Sequence, residues 1–282
     1  MIDYAYYNGI FTPYDSACIP FSDRSIFFGD AVYDVVIGRG KKAYQLDLHL
    51  DRLYRNAERI GLMELPRSSE IYEVVDTLLA ESSADEFTLY LQFSAGSRRR
   101  NHARVGKGAN TLITVTHCDI PTALEAVIAI TLPDNRHGLC DVKTVGLLPA
   151  VLSVEEAQRR DADIAIFHKN GTVTECSYAN LSILTGGTLI THPYNSEILP
   201  GITQANLISL CKEIGIPHVS RPFSVNEMFC ADAVLMTSTT KLIKICTEVD
   251  KRPLQVSCRD LADRLFEGLR ANFEYEILAK NV

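Results

Sequence analysis

Apolar and polar positions follow two rhythms along this chain. Short runs of period two, rich in Val, Ile, Thr, Tyr and Phe, predict strands, and longer runs of period near 3.6 predict helices. The chain opens with YAYYNGIF, two β runs around Asn8-Gly9, a dipeptide that suits the tight turn of a hairpin. FFGDAVYDVVIGRGKKAYQL reads as two strands around a Gly-Arg-Gly turn. The clearest helix is LDLHLDRLYRNAERIGL, where Leu50, Leu53, Tyr54, Ala57 and Ile60 share one apolar stripe and Gly61 marks the end. Residues 68 to 82 read as a second helix, and EFTLYLQFSAG and NTLITVTHC as strong strands.

DIPTALEA then breaks the pattern and predicts a linker. VIAITL begins a second half, with a helix expected near 152 to 159. IAIFHKNGTVTE is an Asn-Gly hairpin that puts Glu175 at the end of its second strand, and ANLSILTGGTLITHP is a third hairpin. TQANLISLCKEIGI reads as a helix with Gly201 and the Thr203 hydroxyl at its start. The stretch from Cys258 to about Ala279 is an amphipathic helix. Strands and helices mixed in two halves predict an α+β protein: a smaller domain over 1–120, a linker at 121–126, a larger domain over 127–282, and a site in the interdomain cleft.

The 282 residues suffice for one large domain or two ordinary ones, and 46% hydrophobic with 22% charged content is typical of a globular chain. No apolar run approaches the roughly 20 residues of a membrane helix. The opening MIDYAYYNGIF lacks a basic segment followed by an apolar core, so no secretory signal is expected. A net charge of −7 argues against nucleic acid or anionic membrane as a partner. The eight cysteines contain no CxxC, which predicts free thiols in a reducing cytoplasm and no metal site.

Four segments carry candidate chemistry. Lys143 stands in CDVKTVGLL, Glu175 in TVTECSYANLSIL, a turn opening a helix in EILPGITQANL, and hydroxyls in LMTSTTKL. An amine, an acid, a helix N-terminus and a hydroxyl cluster, in that order, are what a protein needs to hold pyridoxal 5′-phosphate. The flanking Val142, Val145, Leu147 and Leu148 predict a mostly buried strand, where an unpaired lysine is expensive. Taken one at a time the other residues have ordinary readings. Glu175 resembles a solvated glutamate beside a hairpin, and Arg52 an exposed helix arginine paired with Asp51 or Glu58. SRRRNHARVGK resembles a solvated basic loop, and the acidic total disfavours nucleic acid there. His49, His117, His137, His168 and His192 show no evident role.

FGDAVYDVV, HLDRLYRNAERI, GSRRRNH, CDVKTVGLLPAVLSVEEA, TVTECSYANL, THPYNSEILPGIT and TSTT occur in this order between about Phe28 and Leu242. Together they resemble the class IV, or fold-type IV, pyridoxal-phosphate aminotransferases, most closely the D-amino acid aminotransferases. The resemblance implies that Lys143 forms the Schiff base and moves a proton, and that Glu175 faces the pyridine nitrogen. It makes Arg52, the backbone of Ile202 and Thr203, and Ser238 and Thr239 the phosphate ligands. Arg100 and His102, supplied by the loop of the neighbouring subunit of a homodimer, become with Tyr33 a carboxylate trap. It also implies transfer of an amino group between a D-amino acid and a 2-oxo acid such as pyruvate or 2-oxoglutarate. Arg136 matches an arginine near the cofactor. Gly146 replaces a usual asparagine, Cys176 and Tyr178 replace small residues, and SAG at 94–96 lacks an arginine, departures that bear on substrate range. The same scaffold also serves aminodeoxychorismate lyases and L-branched-chain aminotransferases, and a non-catalytic binding protein is a reading of a different class.

Overall fold

The structure, a computed structural model, describes residues 3–104 and 108–279. These divide into two compact units. The first comprises the described residues of Met1–Ile120, Val142–Gly146 and Glu276–Val282, and the second Pro121–Asp141 and Leu147–Tyr275.

The first unit is built on an antiparallel sheet. Its strands are β1 (Tyr4–Tyr7), β2 (Ile10–Pro13), β3 (Ala31–Arg39), β4 (Lys42–Ala43), β5 (Glu86–Ser94) and β6 (Asn110–His117), in the order β2-β1-β6-β5-β3-β4. Asn8 and Gly9, both at positive φ, turn β1 into β2 as their sequence predicts. Helices α1 (Arg24–Phe28), α2 (Leu46–Arg59) and α3 (Ser68–Glu81) complete the unit. Leu50, Leu53 and Ala57 of α2 and Ile71, Val75 and Leu78 of α3 join Val32, Val36, Leu89, Leu91, Ile113 and Val115 in one core. The strand period of two puts Asp34 on the same face as Val32 and Val36, toward that core, and Tyr33 on the other.

The second unit holds β7 (Glu125–Pro133), β8 (Ile164–Lys169), β9 (Thr172–Cys176), β10 (Asn180–Thr185), β11 (Thr188–Thr191), β12 (His218–Ser220), β13 (Ala233–Ser238), β14 (Leu242–Val249) and β15 (Arg252–Pro253). They form a mixed sheet in the order β12-β11-β10-β13-β14-β7-β8-β9, with β15 on β14. Its helices are α4 (Leu148–Arg159), α5 (Ile202–Glu213) and α6 (Val225–Phe229), with most of α7 (Arg259–Leu278). Val127, Ile166, Val173, Ile183, Val234, Phe223 and Met228 centre its core.

Three boundaries differ from expectation. The segment around Lys143 is not a buried strand. It makes a single bridge, Thr144 to Val32, with Tyr33 N–H donating to the Lys143 carbonyl (2.9 Å) and Val145 N–H to the Ala31 carbonyl (3.2 Å). β4 pairs only with Gly38 and Arg39, so the start of β3 has an open edge, and residues 142–146 take it. Val142 is buried, but Leu147 and Leu148 are exposed. α4 begins at Leu148 rather than near 152, because Pro149 presets the helical φ in the first turn. Glu125 and Ala126, expected in the linker, already pair with Lys244 and Ile245 of β14.

Candidate active site

Lys143 meets Tyr33 twice. Its Nζ donates to the Tyr33 hydroxyl at 3.3 Å and lies 4.4 Å from the centre of the ring. Its carbonyl takes the Tyr33 N–H. Tyr33 in turn stacks on Tyr90, ring centres 5.3 Å apart, and the Tyr90 hydroxyl donates to Gln92 at 2.6 Å. Burial pushes the Tyr90 phenol up, which keeps it a neutral donor. The Lys143 amine therefore rests on a phenol fixed by backbone pairing on one side and stacking on the other.

On the opposite face of β3, Asp34 has no exposed surface. It accepts Nε and Nη2 of Arg52, each at 2.8 Å, and lies 2.7 Å from Nδ1 of His49. Burial alone would raise the Asp34 carboxyl, but the charge and hydrogen bonds of Arg52, helped by His49, hold it well below the usual range. Burial lowers His49, outweighing the attraction of Asp34, and the positive charges of Arg52 and Lys143 add to the effect. A carboxylate only accepts, so neutral His49 must present its Nδ1–H to Asp34. Arg52 is thus no surface arginine paired with Asp51 or Glu58, as its local sequence suggests. A strand residue eighteen positions earlier takes its fork and buries it.

In the second unit Glu175 is 5% exposed, not solvated, because β9 carries it inward at the end of the Asn170-Gly171 hairpin. Its Oε1 accepts Nη1 of Arg136. Its Oε2 accepts Nδ2 of Asn180 (2.9 Å) and the Leu199 N–H (3.1 Å). Arg136 also grips Asp134 through Nε (2.9 Å) and Nη2 (2.7 Å), and Thr174 donates to that carboxylate at 2.8 Å. Burial works against the Asp134 charge, but the Arg136 and Thr174 bonds hold its carboxyl below the usual range. Burial alone would lower Arg136, yet Asp134 and Glu175 push it higher still. Two buried carboxylates, Asp134 and Glu175, flank one guanidinium.

α5 starts nearby in the same unit. Gly201 is its N-cap, and the Thr203 hydroxyl makes no cap bond, since Thr203 lies inside the first turn. The first helical bond runs from Ala205 N–H to the Gly201 carbonyl, so the amides of Ile202 and Thr203 precede it. Gly201 is a steric requirement: a Cβ there would stand 2.0 Å from Oδ1 of Asn180. Asn180 is registered against Thr237 on β13, next to Ser238 and Thr239. The Thr237 hydroxyl is buried and has no hydrogen-bond partner among the described residues.

Arg100 and His102 stand exposed on the loop after β5 and both pack on Phe28, at 5.2 and 5.3 Å between centres. The structure therefore groups Tyr33 with Lys143, and Arg100 with His102. No hydrogen bond or ring contact joins the two pairs among the described residues. Cys176 is fully buried, which pushes its thiol up, whereas Tyr178 is exposed. No cluster of metal-binding side chains occurs among the described residues.

The family model for amino-transferase class IV matches residues 31–249, from the first residue of β3 to the last of β14. The chain belongs to the class IV aminotransferases. It is 34% identical over 242 residues to a D-alanine aminotransferase of Listeria monocytogenes, covering 84% of each chain. In fold it is similar to the branched-chain aminotransferase of Thermoproteus uzoniensis, solved with norvaline: TM-score 0.87 at 23% identity, over 98% of this chain and 97% of the other. It is equally similar to a T.th. branched-chain amino acid aminotransferase solved with pyridoxamine 5′-phosphate, with TM-score 0.88 and 20% identity over 97% and 95% of the two chains. Class IV aminotransferases are pyridoxal-phosphate enzymes.

Sequence reasoning overlooked Asp34, His49, Asp134 and Asn180 in this aminotransferase. A signal existed for the first two. DAVYDVV places an acid on a core face between two valines, and His49 and Arg52, three apart, share one helix face.

Proposed function

We propose that this aminotransferase binds pyridoxal 5′-phosphate and transfers an amino group from D-amino acids to a 2-oxo acid such as pyruvate or 2-oxoglutarate. The observation that carries the chemistry is the amine of Lys143 held on the Tyr33 hydroxyl. The substrate assignment is supported by identity above 30% to D-alanine aminotransferases over most of the chain.

The residues present fit the cofactor. The buried carboxylate of Glu175 is an acceptor of the kind a protonated pyridine takes. The amides of Ile202 and Thr203, the unpartnered Thr237 hydroxyl, and Ser238 and Thr239 offer donors of the kind a phosphate takes. Arg52, oriented by Asp34, adds a guanidinium. When bound, pyridoxal phosphate supplies an aldehyde that condenses with amines and a ring that takes up electrons from the substrate Cα. The protein does the rest. Lys143 would hold the aldehyde carbon and would carry the proton moved at the substrate Cα. Tyr33 keeps that amine aimed. Arg100 and His102, together with Tyr33, orient the α-carboxylate, and its position decides which Cα–H faces Lys143.

The reading takes Arg100 and His102 from a second copy, so the enzyme is a homodimer. Exposed apolar side chains support this, Leu148, Val151 and Leu152 on α4 in one unit and Phe21, Ile26 and Phe27 in the other. Eight free thiols, four of them buried, suit a reducing cytoplasm. No described helix is long and apolar enough to cross a membrane.

Rapid-mixing absorbance of the holoenzyme tests the proposal. D-alanine, D-glutamate or D-aspartate should bleach the cofactor band without an acceptor, and pyruvate or 2-oxoglutarate should restore it. Bleaching by L-leucine alone, or by no amino acid, overturns it.

A further inference from the structure

The loop that carries Arg100 and His102 is gripped by a side chain from outside it. Arg24, the first residue of α1, is 4% exposed. Its Nη1 donates to the Asn101 carbonyl (2.5 Å) and its Nη2 to the His102 carbonyl (3.3 Å). Its Nε donates to Asp30 at 2.7 Å. Asp30 also binds Arg104, at the far end of the same stretch, with Nε at 3.0 Å. Phe28 fills the middle. The Arg24 guanidinium lies 4.6 Å from its ring centre, and Arg100 and His102 approach it as described. An exposed stretch of backbone held only at its ends samples many conformations. A buried guanidinium whose donors are spent on two adjacent carbonyls removes that freedom where the motif lies.

We infer that Arg24, locked by Asp30, is the positioning residue for Arg100 and His102, and so sets affinity for the substrate α-carboxylate. This rests on the proposed reading of those two residues as carboxylate ligands. Asp23 to Tyr33 is one continuous segment. It therefore supplies both the phenol at Lys143 and the anchor of the carboxylate loop.

Two readouts on the full-length holoenzyme decide the matter. The first is amide hydrogen exchange over residues 97–104 without substrate, in wild type, Arg24→Lys and Asp30→Asn. Faster exchange confined to that loop is expected, and unchanged exchange overturns the anchoring. The second is steady-state kinetics with D-alanine. Arg24→Lys keeps the charge but loses the fork. KM should rise roughly tenfold or more, the effect of one lost charge-assisted hydrogen bond, with kcat within about twofold. In an Arg100→Ala/His102→Ala background the Arg24 change should add less than about twofold. A full, independent rise in that background, or a fall in kcat with KM unchanged, indicates a merely structural role and overturns the inference. Arg24→Lys and Asp30→Asn are conservative enough to guard against simple misfolding, and thermal melting identifies it. Wild-type holoenzyme inert to every D-amino acid overturns the functional reading and the affinity claim together, while exchange still decides the anchoring.

Discussion

Asp34 takes both prongs of the Arg52 guanidinium, Nε on one carboxylate oxygen and Nη2 on the other, each at 2.8 Å. Tyr33, the residue before Asp34, touches Lys143 on the other face of β3. One strand thus fixes the Lys143 amine on one side and the Arg52 guanidinium on the other. Displacing β3 would disturb both at once.

Asp34→Asn keeps the shape but removes the negative charge that Arg52 faces in the core. Breaking a buried pair from one side typically costs about 3–5 kcal/mol. Urea unfolding should show a loss of that order, together with weaker cofactor retention on dialysis. A change below about 1 kcal/mol would mean that Arg52 is stabilised elsewhere.

His49 produces a pH dependence with a defined sign. Its folded value lies below the ordinary 6.5 because burial disfavours its charge. As pH falls below about 6.5, the unfolded chain takes up a proton that the fold does not, and stability drops by up to about 1.4 kcal/mol per pH unit. Asp34 acts lower down. Its contribution is complete above the ordinary carboxylate range, and is lost as pH falls below about 4 toward its depressed folded value. Between pH 6.5 and 5 the stability curve of His49→Asn should be flatter than that of wild type; parallel curves would contradict the assignment.

Gly201→Ala should destabilise by steric conflict alone, since Gly201 has an ordinary backbone conformation, φ −74°. The new Cβ displaces Asn180, which donates to both Glu175 (2.9 Å) and the Leu199 carbonyl (2.8 Å). Overpacking of this kind costs roughly 1–3 kcal/mol. Gly138→Ala is the control, with nothing within 4 Å of its Cβ, and should show no loss. Equal melting temperatures for the two variants would refute the clash.

Glu175→Gln keeps the Leu199 and Asn180 contacts in part but removes the charge. A lost charge-assisted hydrogen bond of about 1.5–3 kcal/mol predicts a half-reaction with D-alanine slower by roughly 10- to 100-fold. Stopped-flow absorbance reads this directly, and an unchanged rate would remove Glu175 from the mechanism.

Lys143→Ala removes the proposed base. Proton transfer at Cα should slow by on the order of 10²–10⁴-fold. Borohydride reduction followed by digestion should yield a pyridoxyl adduct at Lys143 in wild type and none in the variant. An adduct at a different lysine in wild type would displace Lys143 from its role.

Local signals in the chain were legible wherever the causes of structure are themselves local. Asn8-Gly9 and Asn170-Gly171 make their turns because small or amide side chains tolerate positive φ. The α2 stripe of Leu50, Leu53 and Ala57 is buried because its period matches a helix face. The run around Lys143 misled, since its apolar residues satisfy an open strand edge and then a helix start rather than a strand.

By itself, then, the sequence determined the main elements and, through its ordered motifs, the class IV aminotransferase family. It could not reveal partners brought together from distant positions. Arg52 finds Asp34, Arg136 bridges Asp134 and Glu175, and Arg24 reaches the backbone of Asn101 and His102. In each case a charged side chain leaves water because acceptors from another element, Asp34, Glu175 or the carbonyls of Asn101 and His102, meet its donors. Burial and charge compensation of that kind exist only once the chain has folded.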